Sequence, residues 1–138
     1  MKANAMFGNA SPKWTLIWHG SEVRQLASTG QHGLRLELAV ASVSAPDGTQ
    51  GYLKGVLLNW PQATWPTDVP LQDILGGVAD GHWLLDGAMH KTMLIPCTCA
   101  SPHTLSLRLI SGTELCVQSH ECQITVAPDA QFQESMAC

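Results

Sequence analysis

Two short segments mirror one another in soft-ligand chemistry: Cys97-Thr98-Cys99 with His103, and Cys116 with His120, Glu121 and Cys122. Thiolate and imidazole are the side chains zinc prefers, and four of them can close a tetrahedral site. Cys97 and Cys99 share a face if their segment is extended. Their single-residue gap departs from the familiar zinc knuckle, where two intervening residues and a tight turn aim both sulfurs at one ion. Cys97, Cys99, His103, Cys116, His120 and Cys122 therefore define a zinc site only as an alternative reading; no other cofactor is expected. The plainer reading treats each Cys as a small apolar side chain in a thiol-rich sheet.

The same residues could instead pair as nucleophile and base. A reactive thiol needs an electropositive, partly exposed pocket and a third group to orient the imidazole. No cation directly flanks these residues in the sequence to supply a positive field, and Glu121 acts in the opposite sense. Carboxylates offer little more, since Asp80 and Asp86 each precede Gly, which is turn chemistry. There is no Gly-x-Ser-x-Gly elbow, and Gly76-Gly77 lacks the Lys-Ser/Thr of a phosphate loop. No catalytic residue is assigned.

Aromatic residues supply the remaining candidates. Trp14 and Trp18 fall on one face of the first predicted strand, and Trp60 and Trp65 frame a Pro-rich loop. Core and loop anchoring is the plain reading, because each Trp buries a large area. The functional reading is an aromatic contact surface, with Trp60, Trp65, Tyr52 and Trp83 as first candidates.

The elements that must position these residues are strands. Leu34, Leu36, Leu38 and Val40 occupy every second position, and Leu105, Leu107 and Leu109 repeat the pattern. Side chains alternate between faces along a strand, so this spacing describes half-buried antiparallel sheet. The expected order begins with strands at Trp14–Trp18, Glu22–Ala27 and Leu34–Val43. A hairpin at Pro46-Asp47-Gly48 then leads into a return strand over Gly51–Trp60. Gly51 and Gly55 predict a bulge or bend within that return. Three prolines make Pro61–Pro70 a surface loop, and Asp73-Ile74-Leu75 reads as one helical turn, the only one expected, near residues 71–75. Asp80-Gly81 and Asp86-Gly87 predict tight turns around a short strand, His82–Leu85, followed by a strand over Met89–Ile95.

The last hairpin permits a register argument. A three-residue loop, Ile110-Ser111-Gly112, pairs Arg108 with Glu114, Leu107 with Leu115 and Leu105 with Val117, and sets His103 opposite Ser119. Apolar residues then stay together, an ion pair forms across the strands, and Cys116, Gln118 and His120 take the more polar face. Ile124 and Val126 need the opposite parity, which predicts a bulge within Ser119–Gln123. No helical crossover exists, so no parallel unit is expected. The expected fold is all-β: a single-domain antiparallel sandwich or small barrel of about seven to nine strands. Residues 1–12 read as a flexible or docked arm and 13–138 as the β-domain.

Composition narrows the partners. Only 13% of the 138 residues are charged, against roughly 25% in a typical soluble domain. Weak surface charge lowers the barrier to association, so a homo-oligomer is expected. The net charge of −4 and seven scattered Lys and Arg residues argue against nucleic acid. No leader or membrane-spanning run is visible, and five Cys without a leader fit a reducing cytoplasm. The expectation is a cytoplasmic, non-enzymatic interaction module that binds itself or another protein, with its contact at Trp60–Pro70 and an adjoining strand edge. A small-molecule-binding barrel or weak enzyme is the third alternative.

Overall fold

A computed structural model describes residues 14–66 and 69–135. The predicted arm, Asp68 and Cys138 lie outside them. The described residues form an all-β structure, as the alternation requires, in one antiparallel sheet curled into a half-barrel. Its strands are β1 (Trp14–Thr29), β2 (Gly33–Ser44), β3 (Gln50–Leu53), β4 (Val56–Trp60), β5 (Ala63–Thr64), β6 (Gly76–Leu85) and β7 (Ala88–His90). There follow β8 (Thr92–Ile95), β9 (Cys97–Cys99), β10 (His103–Leu109), β11 (Glu114–Ser119), β12 (Cys122–Val126) and β13 (Phe132–Glu134). Among the described residues the one helical element is a 3-10 turn over Leu71–Asp73. The strands outnumber the expected seven to nine because backbone breaks divide longer extended runs. Gly55, at φ +86°, separates β3 from β4, and Lys91 separates β7 from β8.

The main path through the sheet is β5-β11-β10-β6-β1-β2-β4-β12-β9. β1 is the junction between two limbs. Along its length it pairs with β2, while its other edge is shared between β8 near Trp14–Ile17 and β6 near Glu22. The two strands expected before Ala27 are one strand with a bulge. From Ile17/Ser42 to Glu22/Val40, β1 advances five residues while β2 advances two. Gly20 turns the bulge at φ +90°, and Ser21 secures it: its hydroxyl donates to the Ile17 carbonyl (2.7 Å) and accepts from the Ser42 N–H (2.9 Å).

The interior holds the predicted alternating leucines, with Leu34, Leu36, Leu105 and Leu107 all buried. The β10–β11 register is as the sequence predicts, from Arg108 opposite Glu114 to His103 opposite Ser119. Gly112 takes the left-handed position of the loop at φ +97°. The expected Arg108–Glu114 ion pair is corrected: the guanidinium binds Asp80 on the other neighbouring strand, at 2.6 Å.

Two further expectations need correction. Asp80-Gly81 is not a turn but lies inside β6, opposite Arg108 and Leu107. A Cβ at Gly81 would stand 2.5 Å from Leu107 Cδ2 and 2.9 Å from Trp18 Cγ, so glycine serves close packing there. Asp86-Gly87 does form the predicted turn, with both residues at positive φ. The parity change after β11 is a corner rather than a bulge: beyond His120 and Glu121 the chain leaves β10 and pairs with β4 and β9.

Candidate functional site

The two mirrored Cys/His segments part company in three dimensions. β9 and β12 set Cys99 directly opposite Cys122, and Cys97 opposite Ile124. Cys116 lies on the other limb, opposite Ser106. His103 is buried, and His120 is exposed at the corner. Among the described residues, no three of Cys, His, Asp or Glu converge in a geometry that could hold a metal ion. The six residues of the zinc alternative are thus not gathered into one ligand set.

His103 shows why. Its Nε2 lies 3.1 Å from Trp60 Nε1, and an indole nitrogen can only donate. Nε2 must then be the acceptor, which places the proton on Nδ1. Nδ1–H in turn donates to the Ser101 carbonyl at 2.8 Å, with Cys99 Sγ 3.5 Å away. Both ring nitrogens are committed, so neither can ligate a metal or accept a substrate proton. The ring also packs against Trp83, centroid to centroid 6.0 Å.

Two thiols of the cluster, Cys97 and Cys122, are held protonated. Burial, with Cys99 adding to it, pushes the Cys97 thiol from the ordinary 9.0 to about 11. Burial, and then the neighbouring Cys97 and Cys99, push Cys122 higher still. A nucleophile needs the opposite shift. This cluster is a structural knot that joins β4, β9, β10 and β12.

Of the four aromatic candidates, two cannot form a surface. Trp60 is fully buried and Trp83 is 1% exposed, because both point into the curl of the sheet. Trp65 is half-buried against the core. Tyr52 is exposed and lines a groove with Phe132 and Lys54. The Pro-rich loop is not wholly irregular, since β5 within it pairs with β11 and ends the sheet path.

The arrangement that sequence reasoning missed is on the outer face. Successive registers align Thr64, Gln118, Thr104, Leu84 and Met89 in one cross-strand row over β5, β11, β10, β6 and β7. Directly opposed residues point to the same side of a sheet, so the row is a continuous strip. It is polar at the β5 end and apolar at the β7 end, where Leu84 and Met89 are 44% and 61% exposed. The polar part floors an open cleft of about 660 Å³, rimmed by His32, Asp86 and His120. The buried Ser119 hydroxyl donates to the Gln62 carbonyl and accepts the Glu121 N–H, which fixes the corner carrying His120. All three residues of β7 are exposed, and β6 is its hydrogen-bonded neighbour. Alternation in β10 and β11 signalled the polar face, and Asp86-Gly87 signalled the turn from β6 into β7; pairing β5 onto β11 had no local signal.

No protein-family model matches the chain, and no curated protein or solved structure matches it. No helix among the described residues is long and apolar enough to cross a membrane.

Proposed function

We propose that this chain is a cytoplasmic, non-enzymatic interaction module that self-associates through the outer face of β5, β11, β10, β6 and β7. The observation that carries the reading is the row ending in Leu84 and Met89, two directly opposed and exposed apolar side chains, with β7 paired on one edge only among the described residues. Open edges template pairing with another chain. In an antiparallel pairing about a two-fold axis, the β7 of one copy lies against its counterpart and Met89, its central residue, meets itself. A second copy is favoured over a charged partner because only 13% of residues are charged and no basic or acidic stripe is present. The same scatter of seven Lys and Arg disfavours nucleic acid and anionic membrane. The absence of a role in catalysis is supported by His103 having both nitrogens engaged and by the protonated Cys97 and Cys122.

Sedimentation velocity under reducing conditions tests the proposal. A dimer that Met89→Glu and Leu84→Glu each convert to monomer supports it. A monomer at high micromolar concentration overturns it.

A second reading is favoured by the cleft itself, whose volume of about 660 Å³ suits a small polar ligand. Thr104, Gln118 and Asp86 would supply its hydrogen bonds. A thermal-shift screen of small polar compounds checks it, with the response expected to disappear in Thr104→Val.

A further inference from the structure

We propose that Cys99 and Cys122 are a reversible disulfide site that clasps β9 to β12 under oxidising conditions. The argument begins from register. Cys99 and Cys122 are directly opposed partners on antiparallel strands, so both side chains leave the sheet on one side. Directly opposed residues have Cα atoms about 4.5 or 5.5 Å apart, depending on the pair type, and a disulfide spans about 4.4–6.8 Å. Either pair type falls inside that window.

The competing pairings fit less well. Cys97 faces Ile124, which leaves it diagonal to Cys122, and diagonal neighbours lie about 7–8 Å apart. Cys97 and Cys99 are two residues apart on one strand, at about 6.6 Å, the far limit of the window. Cys116 belongs to the other limb. Register therefore selects one pair from these four thiols.

Accessibility gives the order of events. Cys99 is partly exposed and Cys122 is fully buried, so a small-molecule disulfide meets Cys99 first. The Cys99 thiolate attacks one sulfur of that reagent, and one small thiolate leaves. Cys122 then loses its proton and attacks Cys99 Sγ, releasing the second small thiol. The two protein thiols give up two electrons, and the reagent is reduced to two thiols that take up the protons. High burial makes the second step slow below neutral pH and faster above it, since the thiolate is the attacking species.

The clasp has a structural target. β9 ends the sheet path and is held there by β12, so a covalent link would pin the outermost strand. Cys99 also touches His103 Nδ1 and the Ser101 carbonyl, which connects the clasp to the Trp60–His103 bond.

The experiment uses a Cys97→Ser/Cys116→Ser/Cys138→Ser variant and the unaltered chain, each exposed to oxidised glutathione at pH 8. Expected is an intact mass lower by two hydrogens in both, reversed by dithiothreitol, with fragmentation assigning the bond to Cys99 and Cys122. Cys97→Ser alone should still form it, and Cys99→Ser should abolish it. A glutathione adduct that persists on Cys99, a bond assigned to Cys97, or no oxidation while unfolded protein is oxidised, each overturns the proposal.

Discussion

His103 and His120 sit near the free ends of one hairpin, each within four residues of a cysteine, yet they belong to different environments. His103 is closed in by Trp60, Trp83, Cys99 and Ser101, with its proton position fixed by an indole donor. His120 stands in solvent at the rim of an open cleft. One imidazole has become a component of the core, and the other remains available. The lesson is that side-chain type decides little until the strand parity and the partner atoms are known.

The largest expected contrast comes from truncating the two histidines. His103→Ala strips packing from Trp83, leaves the Trp60 indole N–H without its acceptor and takes one of two donors from the Ser101 carbonyl. A loss of about 3 kcal/mol is expected in urea denaturation. His120→Ala should stay within about 0.5 kcal/mol of the parent, as exposed substitutions usually do. Equal losses would erase the distinction between the two sites.

Glycine inside β6 gives the next effect. Gly81→Ala places a methyl group against Leu107 and Trp18 in the core, and overpacking of this kind costs about 1–3 kcal/mol. Ser106→Ala, next in register on the outer face, should be nearly neutral by the same assay.

A smaller effect concerns the thiols. The folded Cys97 pKa is raised above its ordinary value, so its stabilising contribution is intact below pH 9 and is lost as pH rises through about 11. Urea midpoints should fall over that range, and Cys97→Ser should flatten part of the fall. Cys122, pushed higher by burial, should be the slowest of the cluster's thiols to alkylate at pH 8.

The smallest lies wholly outside. A hydrogen bond from Arg108 holds the Asp80 carboxyl below the usual 3.8. A lowered folded value means that the contribution is present above the ordinary carboxylate range and disappears as pH falls through the folded one. An NMR titration should find the Asp80 midpoint below 3.8, and Arg108→Gln should return it upward.

These contrasts also mark what a reader of the sequence could reach. The β10–β11 register followed from keeping leucines together and was fully specified by period-two alternation. The Ser119 corner was announced by the parity conflict between Val117 and Ile124. Asp80-Gly81 misled because the same dipeptide favours turns and permits close approach, and only the location of Trp18 separates the two. The fate of His103 depended on Trp60, which is remote in sequence. The Cys99–Cys122 juxtaposition was equally illegible, since β9 and β12 carry no local mark of pairing. Trp60 and Trp83 suit a contact surface by residue type alone, whereas their large area favours the burial that is observed.

β1 is the first strand described, yet two of its three partners, β6 and β8, are built from residues beyond 75. β4 likewise waits for β12, and β5 for β11. Early segments are thus left with unmatched backbone until distant ones arrive, and each such meeting costs loop-closure entropy before contacts repay it. The chain should accordingly refold on the millisecond-to-second scale of non-local β proteins, with its exposed edges most vulnerable to aggregation during that interval.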